Sequence, residues 1–139
     1  MQDVLKYLEW GNTEKGVRIT KCDQCFEGAM AIPDHINGLP IVEIGKKAFA
    51  GCEKITSVAL PDTVEVVGAG AFCKCEKLKE LRLGTGIKKI EKNAFKFCSS
   101  LRRVFLPSTI VALSRDAFGV GVELILDDDS LSNDDDERL

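Results

Sequence analysis

The sequence predicts an α/β-type repeat solenoid, a short right-handed coil with a parallel sheet of about four to five strands and an N-terminal β-hairpin cap. Two sets of residues carry this reading. Ala-Phe recurs at Ala48-Phe49, Ala71-Phe72, Ala94-Phe95 and Ala117-Phe118, each pair 23 residues after the last. The same period holds the columns Cys52, Cys75, Cys98, then Ile55, Leu78, Leu101, then Val58, Leu81, Val104, and then Leu60, Leu83, Leu106. Two further columns run through four copies, namely Ile41, Val64, Ile87, Ile110 and Ile44, Val67, Ile90, Leu113. Columns this numerous and in phase are not chance.

Within each unit the triplets Val58-Ala59-Leu60, Leu81-Arg82-Leu83 and Val104-Phe105-Leu106 alternate apolar and variable residues, the period of a strand with one buried face. Pro61, Gly84 and Pro107 then end each strand. A similar return path leads every time to the same strand again, so the strands stack in parallel, about 4.8 Å apart. Ala-Phe falls between the return path and the next strand. A short helical turn there would set the small residue against the coil and the ring into the core.

The unit Leu-x-x-Val-x-Leu-Pro-x-x-Val-x-x-Ile-Gly-x-x-Ala-Phe-x-x-Cys is almost complete from Ile55 to Cys75. It resembles the BspA-like class of leucine-rich repeat, and the resemblance covers residues 32–118 strongly. Upstream, Ile32-Pro33-Asp34-His35-Ile36-Asn37-Gly38-Leu39-Pro40-Ile41 resembles the longer rung that opens such arrays. Compared with Leu60-Pro61-Asp62-Thr63-Val64 it holds an insertion of about five residues, expected to loop out. Departures from the pattern are Gly84 in place of proline, and Glu91 and Ser114 in place of the glycine found at Gly45 and Gly68. The recurrence of those glycines is assigned to turn geometry. The resemblance implies adhesion, because members of this class are often exported and associated with attachment to host proteins.

Three segments follow. Residues 1–40 form a hairpin cap and a first irregular rung, residues 41–126 the array with a capping strand at Val122–Leu126, and residues 127–139 an acidic, disordered tail. In the cap, residues 4–10 and 17–20 pair across the loop 11–16, with Tyr7 and Trp10 as covering side chains. Counted in blocks, residues 1–40 carry a net charge of −2, residues 41–116 of +6 and residues 117–139 of −7. The acidic end opposes any phosphate attraction of the middle, so no nucleic-acid partner is expected. No apolar run approaches the roughly 18 residues of a membrane helix, so no membrane insertion is expected. Met1–Trp10 lacks a basic start and a long apolar stretch, so no signal peptide is visible. The chain is then cytoplasmic if Met1 is the natural start, and otherwise a cell-surface or secreted fragment.

Six cysteines fit either a disulfide framework or reduced thiols, and the missing signal peptide favours thiols. Cys22-Asp-Gln-Cys25 has the spacing of half a zinc site or a redox pair, and Cys73-Lys-Cys75 that of another half. Yet Cys75 belongs to the 23-residue column, where cysteine reads as a small buried filler. Free thiols and no metal are therefore expected, with Cys22, Cys25 and Cys73 outside the column as candidates for exposure. His35 is the only histidine and has no regular partner to orient it as a base. With no phosphate loop, carboxylate pair or nucleophile elbow, neither catalysis nor a cofactor is expected.

Functional content concentrates on the strands. With Val58, Leu81 and Val104 buried, Ser57, Ala59, Glu80, Arg82, Arg103 and Phe105 point outward. A phenylalanine between two arginines on an open face has hot-spot composition, and the alternative is a solvated sheet with one stray aromatic. Lys46, Lys47, Lys88, Lys89, Lys92 and Lys96 are assigned to the opposite face, without the aromatic partners of a nucleic-acid stripe. The reading is a monomeric, non-catalytic module that binds a protein partner. Its alternative is a fragment of an exported surface adhesion protein.

Overall fold

The computed structural model describes residues 3–127, so the acidic tail at 127–139 lies, apart from Asp127, outside the described residues. Among the described residues twelve strands follow one another: β1 (Leu8–Asn12), β2 (Val17–Cys22), β3 (Gly28–Ala31), β4 (His35–Ile36), β5 (Leu39–Ile44), β6 (Ile55–Ala59), β7 (Val66–Val67), β8 (Glu80–Arg82), β9 (Lys89–Ile90), β10 (Arg103–Pro107), β11 (Ala112–Leu113) and β12 (Glu123–Asp127). They wind into a β-solenoid with two strand-bearing faces. The first face carries one strand per turn, with β3, β6 and β8 in one parallel sheet and β10 and β12 in another. The second carries β2, β5, β7, β9 and β11 in register, all parallel, with β1 antiparallel at the capped edge.

This corrects the α/β expectation. Among the described residues the only helix is a single 3-10 turn, Val4–Tyr7, and the return path is itself a sheet. The Ala-Phe segments are not helical either. Their N–H groups alternate between two destinations. Ala48, Ala50 and Cys52 donate within the rung to Gly45, Lys47 and Phe49, while Lys47, Phe49 and Gly51 donate to Ala69, Ala71 and Cys73 of the next rung. Left-handed backbone at Lys47, Gly70 and Asn93, and again at Gly51, Lys74 and Phe97, makes this alternation possible. A helix would spend every N–H inside the rung and leave the stack unbonded.

The core lies between the two faces. The residues of the 23-residue columns are buried through the central rungs, and Phe49, Phe72 and Phe95 are fully enclosed. Their rings stack face to face, at 4.7 Å from Phe49 to Phe72, 5.0 Å from Phe72 to Phe95 and 5.1 Å from Phe95 to Phe118. These separations match the strand spacing, so one ring per rung makes a continuous aromatic column.

The cysteine column is more than filler. The Cys75 thiol donates to the Phe49 carbonyl at 3.2 Å, Cys98 to Phe72 at 3.1 Å and Cys52 to Cys22 at 4.0 Å, so each sulfur reaches back to the rung before it. Cys22, expected to be exposed, is buried and supplies the first rung of this ladder. Cys25 is exposed, as expected, Cys73 is only half-exposed, and all six are free thiols. The neighbouring Cys98 thiol and burial hold the Cys75 thiol above its ordinary range, and Cys52 and burial do the same for Cys22. Both stay protonated and remain donors.

The glycine reading also changes. Gly45 and Gly68 have ordinary φ, but a Cβ on Gly45 would sit 2.8 Å from the Ile19 carbonyl oxygen and one on Gly68 2.9 Å from the Lys46 nitrogen. Close approach of rung to rung, not turn geometry, requires them. The insertion before Ile41 is a two-residue hairpin, in which β4 pairs with the start of β5 across Asn37-Gly38, both at positive φ.

At the N-terminus β1 and β2 form the expected hairpin, with Leu8, Val17 and Ile19 buried. Tyr7 covers Phe26 edge-on at 5.1 Å, but Trp10 stays exposed, so only one of the two expected covering rings serves. The C-terminal strand β12 does pair with β10, yet it does not close the end. Val111, Leu113, Val120, Leu124 and Leu126 are all exposed there.

Candidate binding surface

The strands β3, β6, β8 and β10 of the first face each turn a buried residue inward beside a more open neighbour. Met30, Val58, Leu81 and Val104 point into the core, which fixes their neighbours as outward. Glu80, Arg82, Arg103 and Phe105 are exposed and Ser57 and Ala59 half-buried, all on this face. Phe105 keeps 55% of its surface open to solvent, which is unusual beside Phe72 and Phe95 at 0%. All six sequence-derived residues line a single groove of about 720 Å³. Its floor is Ala29, Ala31, Ser57 and Ala59, small side chains that let the groove sink below the long ones around it.

Sequence reasoning missed the floor residues Ala29 and Ala31 and several contributors around them. Lys79, Arg102 and Thr85 also line the groove. Lys79 and Arg102 immediately precede the strands, outside the alternating triplets, so a pattern search over the triplets does not reach them. Their inclusion changes the electrostatics, because the lining then holds Lys79, Arg82, Arg102 and Arg103 against the single acid Glu80. Arg103 is bridged to Glu123 at 3.4 Å across the register of β10 and β12. Among the described residues no carboxylate lies within ion-pair distance of Lys79, Arg82 or Arg102.

The parallel sheet is interrupted under this groove. Among the described residues β8 and β10 form no ladder with each other, although β6 pairs with β8 and β10 with β12. Arg82 and Arg103 therefore stand on opposite sides of a seam, where a continuous ladder was expected.

The second face is charged and in part matched within itself. Arg18 pairs with Glu43 at 3.1 Å, Lys15 and Lys88 flank Glu65 at 3.8 and 3.9 Å, and Lys89 pairs with Glu91 at 3.3 Å. Lys96 lies over the exposed Phe97 ring at 5.6 Å.

The candidates for other chemistry stay apart. His35 Nδ1 lies 3.1 Å from Asp34 Oδ1 on the exposed β4 hairpin, with no buried group to orient the ring. Among the described residues no three His, Cys, Asp or Glu side chains converge as a metal site, and Cys22 and Cys25 are separated by burial. No helix among them is long and apolar enough to cross a membrane.

No curated protein matches the sequence. Among solved structures, the chain is similar to the leucine rich repeat protein TpLRR of T. pallidum, with 28% identity and a TM-score of 0.70 over 87% of this chain and 65% of that one. It is similar to a leucine-rich repeat protein of Bacteroides capillosus, with 21% identity and a TM-score of 0.82 over 92% of this chain and 98% of that one. A leucine rich cell surface protein of Faecalibacterium prausnitzii matches at 21% identity and a TM-score of 0.60, over 91% of this chain and 40% of that one. The chain thus spans less than two thirds of the T. pallidum and F. prausnitzii proteins. The sequence signature of the BspA type leucine rich repeat region matches residues 22–124 in 6 copies. With most of its length accounted for by these repeats, the chain belongs to the BspA type leucine-rich-repeat family.

Proposed function

We propose that the chain is a non-catalytic binding module that engages a protein partner through the groove of the first strand face. The observation that carries this reading is Phe105, held half-exposed on a rigid sheet with Arg82, Arg102 and Arg103 around it. A ring fixed in place loses little entropy on binding, and guanidinium groups beside it reward carboxylates with bidentate hydrogen bonds. The partner segment is therefore acidic, with an apolar side chain to set on Phe105. The second face is a poorer candidate because Arg18, Lys88 and Lys89 on it are already paired with Glu43, Glu65 and Glu91.

A cell-surface setting is favoured over the cytoplasmic one read from Met1. The F. prausnitzii relative is a cell surface protein, and nothing in the similar structures supports a cytoplasmic location. Adhesion to another protein is then the form the binding takes.

The test is affinity isolation with the wild-type chain and with Arg82→Ala/Phe105→Ala side by side, followed by titration of the purified partner. The double variant should lose roughly 2 kcal/mol, about thirtyfold in affinity, with its folding intact. Lys89→Ala/Lys92→Ala should change affinity little except at low salt. Normal binding by the groove variant together with weakened binding by the lysine variant would place the function on the other face.

A further inference from the structure

Resting on that reading, we propose that the groove is regulated by the chain's own acidic segment, residues 128–139, which docks on it and competes with the external partner. The argument starts from charge. Residues 128–139 carry six acids and one arginine. The groove lining carries four bases and one acid, three of those bases without a carboxylate partner among the described residues. The segment also places Leu131 between two acidic runs, Asp128-Asp129 and Asp134–Glu137. That order mirrors the groove, where Phe105 lies among basic side chains.

Topology decides which basic surface the segment meets. The chain leaves β12 at Asp127, whose register partner is Pro107, and Pro107 is part of the groove wall. The segment therefore starts on the first face, at the rim of the groove. β10, with Arg103 and Phe105, is the adjacent strand, and β8, with Arg82, lies beyond it. Twelve extended residues span about 40 Å, several times the few strand spacings involved. Reaching Lys88 or Lys89 instead requires passing round the solenoid to side chains already paired with Glu65 and Glu91.

Tethering makes weak docking sufficient. A short linker presents a segment at an effective concentration in the millimolar range, so an intrinsic affinity far too weak to hold a free peptide still fills the groove much of the time. Such an interaction is screened by salt and adds little to fold stability. An external acidic partner displaces it once its own affinity exceeds that competition.

The experiment uses the full chain and a full-length variant with its tail acids neutralised: D128N, D129N, D134N, D135N, D136N and E137Q. Backbone amide shifts of the two are compared at low salt and at high salt. Differences should concentrate on Ser57–Ala59, Glu80–Arg82 and Arg103–Phe105 and disappear at high salt. Differences confined to the tail, or mapping to Lys88 and Lys89, would overturn the proposal. A second arm titrates a synthetic peptide of alternating aspartate and leucine into both chains. The neutralised variant should bind it roughly threefold or more tighter than the wild type, and the gap should close with rising salt. Equal affinities would also overturn it. Arg82→Ala/Phe105→Ala separates the two readings, because undiminished peptide binding by that variant counts against the groove itself, whatever the amide shifts show of the tail.

Discussion

Phe72→Ala tests the aromatic column that holds the rungs together. Phe72 is fully enclosed and stacked on both sides, against Phe49 at 4.7 Å and Phe95 at 5.0 Å. Losing the burial of a phenylalanine side chain costs about 2–3 kcal/mol. Two stacked contacts add about 1–2 kcal/mol, which brings the expected loss to the 3–5 kcal/mol typical of such truncations. Phe118, half-buried and stacked on one side only, should cost roughly half as much when changed to alanine. Lys74→Ala, on the exposed turn two residues after Phe72, should stay within about 0.5 kcal/mol. The assay is urea denaturation followed by circular dichroism. With a slope of about 2 kcal/mol/M, Phe72→Ala should move the midpoint by about 2 M. The single tryptophan, Trp10, reports the N-terminal hairpin, so its fluorescence shows whether the cap still unfolds with the rest. Equal midpoints for Phe72→Ala and Lys74→Ala would refute the stacking argument, as would a loss at Phe118 equal to that at Phe72.

Other expectations follow from particular positions. In the native protein two thiols, Cys25 and Cys73, should react quickly with a thiol reagent, and the remaining four only on unfolding. Fast reaction of three or more would show that Cys22 or the column is accessible. Lys74→Gly should stabilise by about 0.5–1 kcal/mol, because Lys74 holds a left-handed φ of 65° where the neighbouring rung has Gly51, and the relieved strain outweighs glycine's entropy cost. An unchanged or lower urea midpoint would show that the turn carries no such strain. The raised Cys22 and Cys75 thiols make a pH-dependent contribution of definite sign, which their partners Cys52 and Cys98, lowered by the same contacts, oppose. The unfolded chain loses the Cys22 and Cys75 protons near the ordinary thiol value of 9.0 while the folded chain keeps them, so the contribution of these two is intact below that pH and falls as pH rises above it. Cys75→Ala should flatten part of that fall in a series of urea titrations, and an identical pH profile would remove Cys75 from the account.

The array was legible in the sequence because its core repeats. Val58, Leu81 and Val104 are spaced by the coil itself, and of the residues inferred from them to face outward Glu80, Arg82, Arg103 and Phe105 are exposed, while Ser57 and Ala59 are half-buried. What stayed hidden depends on relations between rungs. Glycine at 45 and 68 looks the same whether it serves a turn or a close approach, and only the Ile19 and Lys46 backbones distinguish the two. The helical turn expected at Ala-Phe failed for a related reason, since these N–H groups serve the neighbouring rung, a long-range term that local pattern does not express. Cys22 escaped because the five-residue insertion before Ile41 and the different first turn put it off the 23-residue count, although its carbonyl takes the same place as that of Phe49. Lys79 and Arg102 were overlooked because they precede the alternating triplets from which the face was read.

The seam between β8 and β10 makes the two faces mechanically unequal. Behind it, β7, β9 and β11 are bonded without a break, like the spine of a book whose front cover is cut. The separation of Arg82 and Arg103 is thus set from behind, by the bonded strands of the second face and the stacked rings of Phe72 and Phe95, and not by a ladder between their own strands.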